Sequence, residues 1–320
     1  MSLRQDKPDR RSVWIRLAGT LLTLALLVFL LYRQGWQEIW QAFLRISPWR
    51  LAAALGFVVL SRLAVTARWY ILLRSAGEPL SLWKNFRLTF AGLFASNFLP
   101  TTIGGDVFRL AGAVLYRVDT ALAAASLIVD RLVGMAGMAT AAPLGLARVV
   151  TVGLPAILAP GNASLGTLAA GMAHPGWISR LWRQFTDLLR RTFASFALWK
   201  HRPAGLLLAY AATWVHMLAT FSSIAICLEG MGEPAAFWLV AGTWSLVYFI
   251  TLVPVSINGY GLQEVSTVLL YSRLAGISPE GSLTIALLVR TLTMLVSLPG
   301  AIFMPEIMAK IRNDEEKEAS

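Results

Sequence analysis

The chain has 320 residues, 57% hydrophobic and 14% charged. A soluble domain carries about 25% charged residues. Here the apolar residues fall in runs near the roughly 20 needed to cross a bilayer core of about 30 Å as a helix, which excludes a water-soluble globule. The formal charge is +11, but the basic residues gather at the ends of apolar runs, so they argue membrane topology rather than a nucleic-acid partner.

In chain order, Arg4, Lys7, Arg10, Arg11 and Arg16 precede the first apolar run, 17–32. It lacks a small-x-small cleavage site and reads as a retained first span that leaves the N-terminus cytoplasmic. Residues 36–49 are amphipathic and tryptophan-rich, as expected at the outer interface. A second span, 51–73, ends toward Arg74, Lys84 and Arg87, which sets that end on the cytoplasmic side. Residues 82–99 are apolar up to Asn97-Phe98-Leu99-Pro100. The polar stretch Thr101-Thr102-Ile103-Gly104-Gly105-Asp106 follows, and then a short helix over 107–118 that carries Arg109 and Arg117.

The third span is expected over 120–142, with Asp130-Arg131 at its centre. Residues 143–173, rich in Gly, Ala and Pro, return the chain to the cytoplasm. Residues 174–202 form a basic amphipathic surface segment on that side, with Trp177, Trp182 and Phe185 toward lipid. The next span is 204–228, followed by an acidic outer loop. Residues 237–253 are apolar up to Val253-Pro254. A second polar stretch follows, Val255-Ser256-Ile257-Asn258-Gly259-Tyr260-Gly261, with a short helix over 262–274 and a last span over 282–304. The mixed-charge tail, 310–320, is expected to be disordered and cytoplasmic.

The two polar stretches match: Leu99-Pro100-Thr101-Thr102-Ile103-Gly104-Gly105 aligns with Val253-Pro254-Val255-Ser256-Ile257-Asn258-Gly259. Each is flanked by short apolar arms and followed by a span with a central arginine, Arg131 or Arg290. By charge sidedness the first is entered from the cytoplasm and the second from outside, the pattern of an inverted-topology repeat whose interrupted segments flag a midplane binding site. Proline ends a helix for want of an N–H, and backbone freed in this way must face protein or a water-filled cavity rather than lipid. Asp106 can cap the helix that follows, whose N-terminal amides and partial positive charge suit an anionic head group. One proline–glycine kink alone would be structural; two matching kinks in inverted halves favour a site.

The architecture expected is an all-α integral membrane protein of about six transmembrane helices plus two oppositely oriented re-entrant helical hairpins. It forms one membrane domain with repeat halves 51–142 and 204–304. Arg62, Arg68, Asp130, Arg131, Glu264 and Arg290 fall within or near apolar runs, where each costs about 2.5–3.5 kcal/mol at a helix centre. Arg62 and Arg68 are close enough to the cytoplasmic edge to snorkel; for Arg68 an interior role is an equal alternative. Asp130 can pair with Arg109, Arg131 or Arg290. The sole cysteine, Cys227, excludes an intramolecular disulfide. The three histidines match no metal spacing, and there is no HExxH, GxSxG or P-loop, so no metal, cofactor or enzymatic site is expected.

At these motifs the sequence resembles a known family. Asn97-x-x-Pro100-x-x-x-Gly104-Gly105-Asp106-x-x-Arg109, then Asp130-Arg131-x-x-Gly134, then Pro254-x-x-x-Asn258-Gly259-x-Gly261-x-x-Glu264 look like the lysylphosphatidylglycerol synthase transmembrane-region family, also called flippase-like or UPF0104. The similarity spans about residues 15–310. Some relatives are the membrane half of proteins that aminoacylate phosphatidylglycerol and flip the product; others stand alone in polyprenyl-linked sugar or hopanoid pathways. This chain has no counterpart of the soluble aminoacyl-transfer part, so a synthase is not expected, and Asn258 stands where a glycine is usual.

The resemblance implies an inner-membrane lipid flippase or transporter acting on an anionic phospholipid or a polyprenyl-phosphate-linked lipid. The candidate site comprises Asn97, Thr102, Gly104, Gly105, Asp106, Arg109, Asp130, Arg131, Ser256, Asn258, Gly259, Glu264 and Arg290. Arg109, Arg131 and Arg290 are expected to meet a phosphate, and Asp106 and Glu264 to gate or accept a proton. Two alternatives are a non-catalytic membrane partner of a lipid-modifying or glycosyltransferase enzyme, acting through 174–202, and an enzyme acting on lipid phosphates. The second lacks a nucleophile and metal ligands.

Overall fold

The computed structural model describes residues 36–78, 80–98, 104–153, 199, 202–253 and 259–319. The expected first span, most of the return segment and the basic surface segment lie outside the described residues, as do Thr102, Ser256 and Asn258. Among the described residues there are helices and no strands. In chain order they are α1 (Trp36–Leu44), α2 (Pro48–Ser75), α3 (Leu82–Phe98), α4 (Gly104–Leu115), α5 (Thr120–Val152), α6 (Pro203–Met231), α7 (Phe237–Thr251), α8 (Leu262–Leu270), α9 (Pro279–Ser297) and α10 (Pro299–Ala319). A π-helical turn, Tyr271–Ala275, continues α8. Among the described residues four helices, α2, α5, α6 and α9, are long and apolar enough to cross a membrane.

Local chemistry sets the helix ends. Proline in the first turn of α2, α6 and α9 costs no hydrogen bond, because those N–H groups have no helical partner. Asp119 caps α5 by accepting from the Leu122 amide at 2.9 Å, and Ser278 caps α9 by accepting from the Gly281 amide at 2.9 Å. Gly232 ends α6 with φ 84°, in the left-handed region that glycine enters without a Cβ penalty.

The core is α2 laid antiparallel on α6. Arg50 pairs with Glu229 at one end (3.3 Å). Ser223 donates to the Ala54 carbonyl (3.1 Å), and Ser61 meets His216 (2.7 Å) and Thr220 (3.1 Å) midway. At the far end the Trp199 indole donates to the Leu72 carbonyl (3.2 Å). Small hydroxyl residues join apolar helices in this way where no hydrophobic gradient drives association. α5 and α7 also run antiparallel, with backbones in direct contact: a Cβ on Gly242 would fall 2.2 Å from the Gly145 nitrogen.

The shorter helices form two antiparallel pairs. In α3–α4, Gly105 lies against Gly92, and Gly112 against Leu88. In α7–α8, the Tyr271 hydroxyl donates to the Val240 carbonyl at 3.1 Å. The α10 helix covers α3: Gly300 abuts the Phe90 carbonyl, Arg87 pairs with Glu306, and Phe303 meets Phe86 and Trp83 edge-on.

Three sequence-based expectations are corrected. The span expected over 120–142 continues to Val152 through Pro143, so residues 143–152 belong to it rather than to the return segment. Packing of Gly145 on Gly242 holds this extension, and a membrane helix tolerates the single hydrogen bond lost to proline when neighbours satisfy the freed group. The span expected over 282–304 is two helices, with α10 starting at Pro299. The tail expected to be disordered is helical to Ala319.

Candidate functional site

Two sets of charged side chains lie inside this apolar frame. The first joins α2, α4 and α5. Asp130 is 2% exposed and accepts from two arginines: Arg68 Nε at 2.7 Å, and Arg109 through Nη1 and Nη2, both at 3.2 Å. Arg109 also reaches Asp106 at 3.4 Å, and its guanidinium lies over the Trp69 ring, 4.2 Å from the centroid. The same indole donates to Ser126 at 3.0 Å. Asp106, in the first turn of α4, is also held by Arg131 of α5. Three arginines thus share two carboxylates. Buried charge is retained only when paired and hydrogen-bonded. Asp130 meets that condition; Arg131, with 62% of its side chain exposed, carries the chain's charge out into accessible space.

The second set joins α8 and α9. Glu264 is 1% exposed. It accepts from the Gly261 amide at 2.8 Å, capping α8, and from Arg290 of α9. Arg290 reaches the Gly259 carbonyl (3.4 Å) and Gln263 (3.3 Å), and its guanidinium sits over the Tyr260 ring, 4.2 Å from the centroid. Gly259 and Gly261 take φ of 70° and 76°, which lets the chain turn back directly before α8. The two sets follow one design. An acid in the first turn of the second arm of a helix pair holds an arginine of the next long helix: Asp106 with Arg131, Glu264 with Arg290.

The two helix pairs touch where their arms break. The Tyr260 hydroxyl donates to the Asn97 carbonyl at 2.6 Å, and the Asn97 amide donates to Ser297 at 3.0 Å.

Of the residues singled out in the sequence, the structure brings together Asn97, Gly104, Gly105, Asp106, Arg109, Asp130 and Arg131 around one break, and Gly259, Glu264 and Arg290 around the other. Gly104 opens α4. A Cβ on Gly105 would fall 2.0 Å from Ser96 Oγ and 2.6 Å from the Gly92 carbonyl, so the position requires glycine for close approach. Asp130 takes Arg109 among its three expected partners; Arg131 and Arg290 go to Asp106 and Glu264 instead. Arg68 does not snorkel to the edge but turns inward to Asp130. Asp106 lies within the first turn rather than ahead of it, and its carboxylate is engaged by arginines. Sequence reasoning missed Trp69, Tyr260 and Gln263 as arginine partners. For Tyr260 a signal existed: an aromatic between two glycines at a helix break has nothing of its own arm to pack on.

Arg131 and Arg290 are oriented by carboxylates, and a guanidinium so fixed keeps further N–H groups for a phosphate oxygen. Among the described residues no group of three or more His, Cys, Asp or Glu side chains could hold a metal ion. No curated protein matches the chain. The family model described as the lysylphosphatidylglycerol synthase TM region matches residues 15–300, nearly the whole chain, and this multi-pass helical membrane protein belongs to that family.

Proposed function

We propose that the protein is a lipid flippase or transporter of the bacterial inner membrane. It moves an anionic phospholipid or a polyprenyl-phosphate-linked lipid between leaflets and carries out no enzymatic step. In this reading α3–α4 and α7–α8 are re-entrant hairpins of an inverted repeat, with halves 51–142 and 204–304, entered from opposite faces. Six full spans surround them, and both termini are cytoplasmic. The helix lengths support this. The 17 residues of α3 and 15 of α7 rise about 25 and 22 Å, short of a core of about 30 Å.

The single observation that carries the reading is the junction of the two breaks, Tyr260 on the Asn97 carbonyl, with an acid-oriented arginine on either side. A head group could be handed between Arg131 and Arg290 there while its tails stay in the bilayer. Carboxylates already engaged by arginine hold those cations in place.

The test is crossing of a head-group-labelled phosphatidylglycerol in proteoliposomes of the full chain. Arg131→Gln removes the exposed cation, and Tyr260→Phe keeps the ring over Arg290 while removing the junction. Loss of a charged hydrogen bond at Arg131 corresponds to about tenfold and loss of the neutral one at Tyr260 to about fivefold, and each variant should slow crossing by that order at unchanged protein level. Wild-type rates in both would sink the proposal.

A further inference from the structure

The two charged sets exchange helices. α5 carries Arg131 of the first set, continues through Pro143, and then lays Gly145 on α7, the first arm of the second pair. α9 carries Arg290 of the second set, passes through Leu298 and Pro299 into α10, and lays Gly300 on α3, the first arm of the first pair. The order along the chain is the same in both: an arginine held by the acid of its own set, a proline, and a glycine whose backbone meets the opposite pair. A Cβ on Gly145 would fall 2.6 Å from the Gly242 carbonyl oxygen, and one on Gly300 would fall 2.6 Å from the Phe90 carbonyl carbon.

Past its proline each segment is fastened at further points. Arg148 Nε donates to the Leu274 carbonyl at 3.3 Å, so the end of α5 also reaches the π-helical turn that continues α8. On α10, Phe303 meets Trp83 and Phe86, Glu306 pairs with Arg87, and Ile307 is buried in one cluster with Leu73 and Leu88. Close-packed contacts of this kind transmit displacement rather than absorb it.

The prolines are where these helices can give. Proline supplies no N–H to the carbonyl one turn back. At Pro299 that carbonyl, of Leu295, takes the Leu298 amide instead, at 3.2 Å. Sharp bends in long helices gather at such places. Both prolines are exposed, so neither is there to fill the interior. A helix fixed on both sides of a missing ladder bond turns a shift of its first part into a bend.

We propose that residues 144–152 of α5 and the whole of α10 are reciprocal coupling arms. A shift at either charged set, as a head group arrives or leaves, passes along its own arginine helix to the opposite helix pair, with Pro143 and Pro299 as the bending points. This rests on the lipid-head-group reading above and adds how the two pairs move together. Gly145, Gly242 and Gly300 are positioning residues that act through the helices they join. The two bends are one two-state element that both sets bias, which is the physical requirement for coupling between sites.

The experiment uses the full chain, with Cys227→Ala as background, in phosphatidylcholine nanodiscs doped with phosphatidylglycerol. Spin labels on Leu295→Cys and Met308→Cys, both exposed, measure the bend at Pro299. Labels on Ile128→Cys and Val150→Cys, also exposed, measure the bend at Pro143. Pulsed electron paramagnetic resonance should find two distances for each pair. Pro143→Ala should collapse the 295–308 pair to one distance, and Pro299→Ala should collapse the 128–150 pair, although each substitution lies on the other helix. In proteoliposomes each should slow crossing of labelled phosphatidylglycerol about fivefold, the worth of the ladder bond restored. A proline with a merely structural role would leave the distant pair unmoved.

A single narrow distance in both wild-type pairs overturns the coupling and leaves the head-group reading to stand on crossing. A 295–308 pair that keeps both distances in Pro143→Ala means that the arms bend independently, and overturns it as well. Absent crossing in the wild type, with each pair still answering to the opposite proline, sinks the head-group reading and keeps the coupling. Should one proline variant fail to accumulate, the other, read at the opposite pair, decides.

Discussion

At the scale of single residues, Asp130 decides whether the charged interior is tolerable. It is the shared acceptor of Arg68 and Arg109, and all three are buried. Asp130→Asn would leave the Arg68 guanidinium without a counter-charge and Arg109 with only its longer contact to Asp106, a loss of about 3–5 kcal/mol for breaking a buried pair. Arg131→Gln removes a cation whose side chain is 62% exposed, and should change stability by only about 0–1 kcal/mol. Thermal unfolding in detergent should therefore separate the two sharply, with Asp130→Asn much the less stable. Equal behaviour would mean that the Asp130 cluster is hydrated rather than buried. That an acid at 130 needs a basic partner is legible in the sequence, since an aspartate in the middle of an apolar run has no other way to stay charged. Which partner it takes is not legible. Arg68 and Asp130 come together only because α2 and α5 pack side by side, and that packing is a matter of tertiary geometry rather than of local pattern.

At the scale of elements, the α3–α4 pair depends on two glycines facing each other. A Cβ on Gly105 meets Ser96 Oγ at 2.0 Å and the Gly92 carbonyl at 2.6 Å, and one on Gly92 meets the Gly105 carbonyl at 2.7 Å. Backbone cannot move aside as a flexible side chain does, so Gly105→Ala should cost about 1–3 kcal/mol by overpacking. Gly56, in α2, has nothing within 4 Å of its would-be Cβ. Gly56→Ala should be neutral or stabilising by up to about 1 kcal/mol, since alanine is the better helix former. Melting temperatures of the two variants should move in opposite directions, and a tolerated alanine at 105 would contradict the close approach of α3 and α4. The arms themselves are legible from apolar runs ended by Asn97-Phe98-Leu99-Pro100 and by Val253-Pro254. Helix ends that depend on neighbours are not. Pro143 reads as a stop but is carried through by packing of α5 on α7, and 282–304 reads as one run because Leu298-Pro299 interrupts the helix without interrupting the hydropathy.

At the scale of the whole molecule, the question is whether the two hairpin pairs enter from opposite sides, because only then do their breaks meet head to head. The packing partners imply it. Arg50 pairs with Glu229, so the start of α2 and the end of α6 share one side of the molecule. The end of α2, with Arg74, leads through a short connection into α3. The end of α6 leads likewise into α7. α3 therefore starts from the side where α2 ends, and α7 from the side where α2 begins. The single native thiol, Cys227, is buried in α6 and can be replaced by alanine for labelling. In that background Ser81→Cys, just ahead of α3, and Ala236→Cys, just ahead of α7, are both exposed positions. In sealed vesicles of one orientation, a membrane-impermeant maleimide added outside should label one of them, and should reach the other only after the vesicles are opened. By the clustering of arginine and lysine around Arg74, Lys84 and Arg87, Ser81→Cys should be the one reached from the cytoplasmic side. Labelling of both from the same side would place the two pairs in parallel. The Tyr260–Asn97 bond could not then form at mid-depth, and the handover between Arg131 and Arg290 would lose its geometric basis.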